Sequence, residues 1–151
     1  MTKNRFFWVA ALVSLVLDQL SKYAIVQNLH LLESWPLWKG VFHLTYVTNS
    51  GAAFSLFSKD GHWLRWLSLA VSIGLIALAW FGPKLAVWEQ IGYGFILGGA
   101  MGNGIDRFVL NYVVDFLDFR LIRFPVFNLA DVFINVGIVC LFIAAFRKPT
   151  S

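Results

Sequence analysis

Apolar residues gather in four long runs along the chain, and the polar residues crowd the edges of those runs. The first, Phe6 to Val26, is broken by Asp18 and Lys22. The second runs from Trp63 to Phe81 with Arg65 near its start. The third runs from Gln90 to Val109, its uncharged part ending at Ile105, and the fourth from Leu129 to Phe146. From Val132 to Phe146 no residue is charged. Runs of this kind predict helices that cross a bilayer, which takes roughly 20 residues each. The uncharged cores are closer to about 15 residues, so each helix must include polar flanks, tilt, or sit in thinned bilayer. The expected fold is an α-helical integral membrane protein, one domain over residues 1–151, with four transmembrane helices at 6–26, 63–81, 90–109 and 129–146.

The connection between the first two runs, residues 28–62, is the one long enough to fold by itself. "GVFHLTYVTNSGAAFSLF" (Gly40 to Phe57) mixes β-branched and aromatic residues with an Asn-Ser-Gly turn signal, which predicts a small extramembrane β-sheet. Trp35, Trp38, Trp63 and Trp66 suit an interfacial belt. "YVVDFLDF" (Tyr112 to Phe119) reads as extended chain or the end of the third helix.

Composition sharpens this picture. Of 151 residues, 59% are hydrophobic and 13% charged, against about 25% charged in soluble domains. Mean hydropathy is +0.71. That excludes an ordinary soluble globule. The net charge of +4 sits on bases that flank the apolar runs, which points to membrane lipids as partner and away from nucleic acid. Four spans put both termini on one side. Lys3, Arg5, Arg147 and Lys148 at the termini, with Lys84 between runs two and three, favour a cytoplasmic side for them. Lys39, Lys59, Arg120 and Arg123 lie on the opposite connections, so charge bias alone does not decide orientation. The N-terminus looks like a signal peptide but continues into "DQLSKY" without a cleavage pattern, and is read as a retained first span. Cys140, the single cysteine, excludes an intramolecular disulfide and reads as a core residue.

The unusual polar residues converge on one end of the helices. Asp18 and Lys22 share a helix face. Asn103, Asp106 and Arg107 stand at the exit of the third run, Asp115 follows, and Asn128 and Asp131 open the fourth. With the first and third helices running outward and the fourth returning, all reach one depth. Ionisable groups at that depth are costly and usually functional. Structural roles compete with this. Asn128 and Asp131 fit a helix N-cap, Asp18–Lys22 an ion pair, Asp106–Arg107 an interfacial pair. Asp118 has Arg120 and Arg123 beside it, whereas Asp115 sits in "VVDF" with no basic neighbour. Gly98, Gly99 and Gly102 suit close helix packing. His30, His43 and His62 lack ligand spacing, so they are expected at solvent or interface positions and no metal site is expected.

Two carboxylates close together in a low-dielectric site do not both ionise readily, so one can act as base and the other as acid in hydrolysing an amide. Two other classes fit the membrane setting. A serine/lysine hydrolase leaves the aspartates unexplained, and Ser21 and Lys22 diverge on a helix. An ion- or proton-conducting protein needs polar residues through a whole span, whereas the inner halves of these runs are apolar.

Five motifs in order, "DQLSK" (Asp18 to Lys22), "NSGAAFS" (Asn49 to Ser55), "GGAMGNGIDR" (Gly98 to Arg107), "VVDF" (Val113 to Phe116) and "FNLAD" (Phe127 to Asp131), resemble the lipoprotein signal peptidases, or signal peptidase II. The resemblance covers the whole chain. It implies an aspartyl endopeptidase of the bacterial cytoplasmic (inner) membrane, multi-pass, with its site toward the outer face. It implies removal of the signal peptide from diacylglyceryl-modified prolipoproteins by a cut before the lipidated cysteine. It implies a catalytic dyad of Asp115 and Asp131, supported by Asp18, Lys22, Asn49, Gly51, Asn103, Arg107 and Asn128. It further implies no metal or cofactor, function as a monomer and inhibition by globomycin. Asp106 also matches a recurrent family position, but Asp106 and Arg107 are adjacent and cannot point the same way on a helix, so Asp106 is assigned a structural part. Ser50 stands where many members have Thr and keeps the hydroxyl.

Overall fold

The computed structural model describes residues 3–51 and 61–147. Part of the "NSGAAFS" motif (Ala52 to Ser55), Phe57, Lys59 and Lys148 lie outside the described residues. In chain order the elements are α1 (Arg5–Asn28), β1 (Ser34–Trp38), β2 (Phe42–Asn49), a 3-10 turn (Gly61–Trp63), α2 (Leu64–Phe81), α3 (Val87–Val109), β3 (Val113–Phe119) and α4 (Leu129–Arg147).

The helices expose apolar side chains, and α1 and α3 bury polar ones. On α1 the buried stripe is Phe7, Ala10, Ala11, Ser14, Asp18, Lys22 and Ile25, spaced at three and four residues. Its exposed side carries Val9, Leu12, Val16 and Leu20. An apolar exterior is stable only against lipid. By length and apolarity α1, α2 with its leading turn, and α4 are each able to cross a membrane. The 23-residue α3 is long enough but carries Glu89, Gln90, Asn103, Asp106 and Arg107. It packs against the other three helices, and Gln90, Asn103 and Asp106 are buried there.

Glycine lets α3 come close to its neighbours. A Cβ on Gly98 would strike the Ser14 hydroxyl, and one on Gly102 would strike the Asp18 carboxylate. On its other face a Cβ on Gly92 would lie 2.8 Å from the Gly137 carbonyl oxygen of α4. The expected small-residue packing is therefore present, and it extends to Gly137. At the end remote from the polar cluster, Asn4 takes a left-handed backbone (φ 61°). Its side chain accepts from the Leu85 N–H (2.9 Å) and donates to the Ala79 carbonyl (3.1 Å), stapling α1 to the α2–α3 turn. Arg147 lies over the Trp88 ring, 5.4 Å away, so the end of α4 and the start of α3 share that side.

The sheet is antiparallel in the order β1-β2-β3. It is not built from the 28–62 connection alone: β3 comes from the α3–α4 connection, resolving "YVVDFLDF" as a strand. A register irregularity between Leu44 and Val47 leaves Val47 opposite Asp115 and Asn49 opposite Val113. Beneath the sheet Ile25, Leu29, Tyr46, Val114 and Phe116 form a buried cluster. That cluster seats the sheet on the end of α1. The Asp106 carboxylate accepts from the Val114 N–H (3.1 Å), tying β3 to α3. His43 departs from the solvent or interface position expected for it. It is buried, accepting at Nε2 from the Gly40 N–H (3.0 Å) with Nδ1 3.1 Å from the Ser34 hydroxyl, because its side chain closes the β1–β2 hairpin.

Candidate active site

Between the end of α3, the strand β3 and the start of α4 lies a cavity of about 440 Å³. Asp115, Asp131, Asn49, Gly51, Asn103, Arg107 and Asn128 line it. Strand β3 projects Asp115 into it, and the opening turn of α4 projects Asp131. The Asp115 carboxylate is only 3% exposed. It accepts from Asn128 Nδ2 at 2.6 Å and from Asn49 Nδ2 at 3.2 Å. Burial pushes the Asp115 carboxyl up from its ordinary 3.8 to about 7, and the charge of Asp131 adds to the rise. The bonds from Asn49 and Asn128 oppose the rise without cancelling it.

Asn128 and Asp131 form a reciprocal cap. The Asp131 N–H donates to Asn128 Oδ1 (3.0 Å), and the Asn128 N–H donates to Asp131 Oδ2 (3.2 Å). The capping role is thus real, but it occupies one oxygen of Asp131. The other accepts from Asn103 Nδ2 at 3.0 Å. Asn128 Nδ2 also lies 3.0 Å from Asn103 Oδ1, so asparagine amides link the two carboxylates.

Lys22 and Asp18 stand behind this layer and do not line the cavity. The Lys22 ammonium has three partners, Asp18 Oδ2 (2.9 Å), Asp106 Oδ2 (3.0 Å) and Asn103 Oδ1 (3.0 Å). Three donors meet three acceptors, which a buried ammonium requires. Because Lys22 holds the carbonyl end of Asn103, the amide end faces Asp131. Asp18 Oδ1 accepts from the Ala130 N–H (2.9 Å), fixing the first turn of α4 against α1. Of the roles open to Asp106, an ion pair with Arg107 is not the one taken: Asp106 bonds Lys22, because the two α3 neighbours diverge around the helix. Arg107 faces the cavity, donating to Ser68 Oγ on α2 (3.3 Å), and its buried Nε has no hydrogen-bond partner.

Two further supports had little signal in the sequence. Gln19 Nε2 spans Asp18, Asp106 and the Gly102 carbonyl, and Ser68 is one of several hydroxyls in apolar helices. Asp118 lies outside the cavity, bonded to Thr45 (2.6 Å) and Arg120 (2.8 Å). Among the described residues, no group of three or more His, Cys, Asp or Glu could hold a metal ion.

Residues 10–147 match the family model of signal peptidase (SPase) II. The chain belongs to the signal peptidase II family. It is 69% identical to the lipoprotein signal peptidase of Cyanothece sp., covering 99% of this chain and 94% of that one. It is 57% identical to that of Gloeobacter violaceus, covering 98% and 86%. Two solved bacterial membrane enzymes share the fold. One, determined by the in meso method at 2.3 Å resolution, has TM-score 0.84 and 25% identity, over 95% of this chain and 92% of that one. The other, at 1.9 Å, has TM-score 0.81 and 26% identity, over 93% and 92%. Membership makes this chain a protease acting on signal peptides, and the cavity is its candidate centre.

Proposed function

We propose that the protein is an aspartyl endopeptidase that removes the signal peptide from diacylglyceryl-modified prolipoproteins, cutting before the lipidated cysteine. The observation that carries the aspartyl mechanism is the pair Asp115 and Asp131 in one cavity, with the Asp115 carboxyl held near neutrality. One carboxylate takes a proton from water as the oxygen adds to the scissile carbonyl carbon. The other carboxyl gives its proton to the amide nitrogen as the C–N bond breaks, leaving an acid on the signal peptide and a free amine on the cysteine. Asn49, Asn103 and Asn128 hold the carboxylates, the Gly51 N–H holds the Asn49 side-chain carbonyl, and Arg107 supplies positive charge beside the developing oxyanion. Asp18 and Lys22 act through Asn103 and the first turn of α4. This scheme uses no metal or cofactor and no second copy of the chain.

The whole chain is read as one four-span domain, with α3 as the fourth span. Both termini lie on the cytoplasmic side and the site faces outward. The bases Lys3, Arg5, Lys84 and Arg147 at the end remote from the cavity support this, as does a substrate whose lipid anchor reaches the site sideways through the outer leaflet.

The test is cleavage of a diacylglyceryl-modified prolipoprotein by the detergent-purified protein, beside Asp115→Asn and Asp131→Asn. The proposal expects a cut before the modified cysteine by the wild type alone. Near-normal cleavage by either folded variant would remove that aspartate from the dyad.

A further inference from the structure

We propose that Asn135 is a substrate-binding residue. Its side-chain carbonyl accepts a backbone N–H from the signal peptide, about two residues before the scissile bond. The inference rests on the peptidase reading above and adds a contact that the dyad and its supports do not contain.

Between Asp131 and Arg147, Asn135 is the only residue of α4 with an amide side chain, in a helix otherwise apolar apart from the buried Cys140. It is exposed and lines the same cavity as Asp115 and Asp131. Its neighbours on the exposed side, Val136, Ile138 and Val139, are hydrocarbon. Asn135 Nδ2 donates to the Asp131 carbonyl at 2.8 Å. Its Oδ1 accepts no hydrogen bond among the described residues. Because Asn135 is exposed and lines the cavity, this oxygen is open to a donor on whatever occupies it.

The chemistry of the substrate says which part brings it. A diacylglyceryl group carries ester carbonyls and ether-like oxygens, all acceptors, and has nothing to donate to Oδ1. A peptide near its scissile bond is extended to expose the carbonyl, so its N–H groups are free. The chain preceding the cut must descend into the membrane, and α4 leaves the dyad in that direction. Four residues of helix rise about 6 Å, and an extended chain advances about 3.3 Å per residue. Asn135 therefore meets the backbone about two residues on the signal-peptide side.

The experiment compares wild type, Asn135→Val and Asn135→Ser on a synthetic diacylglyceryl lipopeptide and three analogues, each N-methylated at one of the three residues before the cut. With unmodified lipopeptide, Asn135→Val is expected to raise KM roughly 3- to 10-fold with kcat unchanged, the value of one neutral hydrogen bond. Methylation at one position should produce a similar rise in wild type and none further in Asn135→Val. The thermal midpoint of Asn135→Val in detergent should be equal or higher, because valine suits a lipid-facing position; a purely structural asparagine would lower it. Asn135→Ser reports whether a shorter acceptor recovers part of the loss. Equal KM in wild type and Asn135→Val, or methylation effects identical in both at every position, overturns the proposal. Failure of the wild type on unmodified lipopeptide overturns the peptidase reading itself, and is distinguished by that control.

Discussion

Replacing Asp115 by Asn separates its catalytic part from its energetic one. In the folded protein the Asp115 carboxyl is held at about 7, against 3.8 when unperturbed. Burial disfavours the charged form, so the folded state prefers Asp115 protonated. That preference is fully present below pH 3.8 and is lost as pH rises towards and through 7, because the unfolded chain gains from ionising first. Each pH unit in that window costs about 1.4 kcal/mol, so wild type loses about 3 kcal/mol between pH 5 and pH 8 from this group. The amide that replaces the carboxyl in the variant does not titrate. Asp115→Asn should lose cleavage by about a thousandfold, the scale of general acid–base catalysis, yet gain on the wild type in thermal midpoint as pH rises. The assay is a pair of melting series in one detergent at pH 5, 6, 7 and 8, with lipopeptide cleavage alongside. The kcat/KM profile of the wild type should fall above about pH 7 as the Asp115 proton is lost. A midpoint difference that stays flat from pH 5 to 8, with activity undiminished past pH 9, would refute the reasoning.

Lys22→Met removes the ammonium shared by Asp18, Asp106 and Asn103. It should destabilise by about 3–5 kcal/mol by leaving buried carboxylates unpaired, and adding Asp18→Asn and Asp106→Asn should recover part of the melting temperature. Gly102→Val forces carbon into the Asp18 carboxylate, so stability should fall by about 1–3 kcal/mol or more and cleavage should fall with it. Asp118→Asn should keep activity within about threefold while losing about 1 kcal/mol from its bonds to Thr45 and Arg120; a large loss of cleavage there would move catalysis away from the cavity.

Much of this architecture is legible along the chain, because a bilayer imposes one rule on every span. The apolar runs at α1, α2 and α4 announce themselves without reference to neighbours. In α3 the glycines and polar residues dilute the signal, since what they face is another helix and not lipid. The strand β3 is half visible as "VVDF", but its partner β2 lies more than 60 residues away, so pairing is not readable locally. His43 misleads for a similar reason: a histidine in a hairpin is solvent-facing or buried according to what Ser34 and Gly40 offer it across the turn. Asp106 and Arg107, adjacent in sequence, go to Lys22 and Ser68 respectively because a helix separates neighbours by about 100°.

The sequence by itself determined that the chain lives in lipid, that its costly polar groups share one end, and that Asp115 is a carboxylate with no basic neighbour. These follow from transfer free energies and spacing, which are properties of single segments. Only the tertiary structure decided that Asn103 and Asn128 link Asp115 to Asp131 while Asn49 holds Asp115 alone, that Lys22 works through Asn103 from behind the cavity, and that Asn135 lines the same cavity one turn below. Hydrogen bonds act over about 3 Å, and which groups come within that reach depends on how closely glycine lets α3 approach α1 and α4.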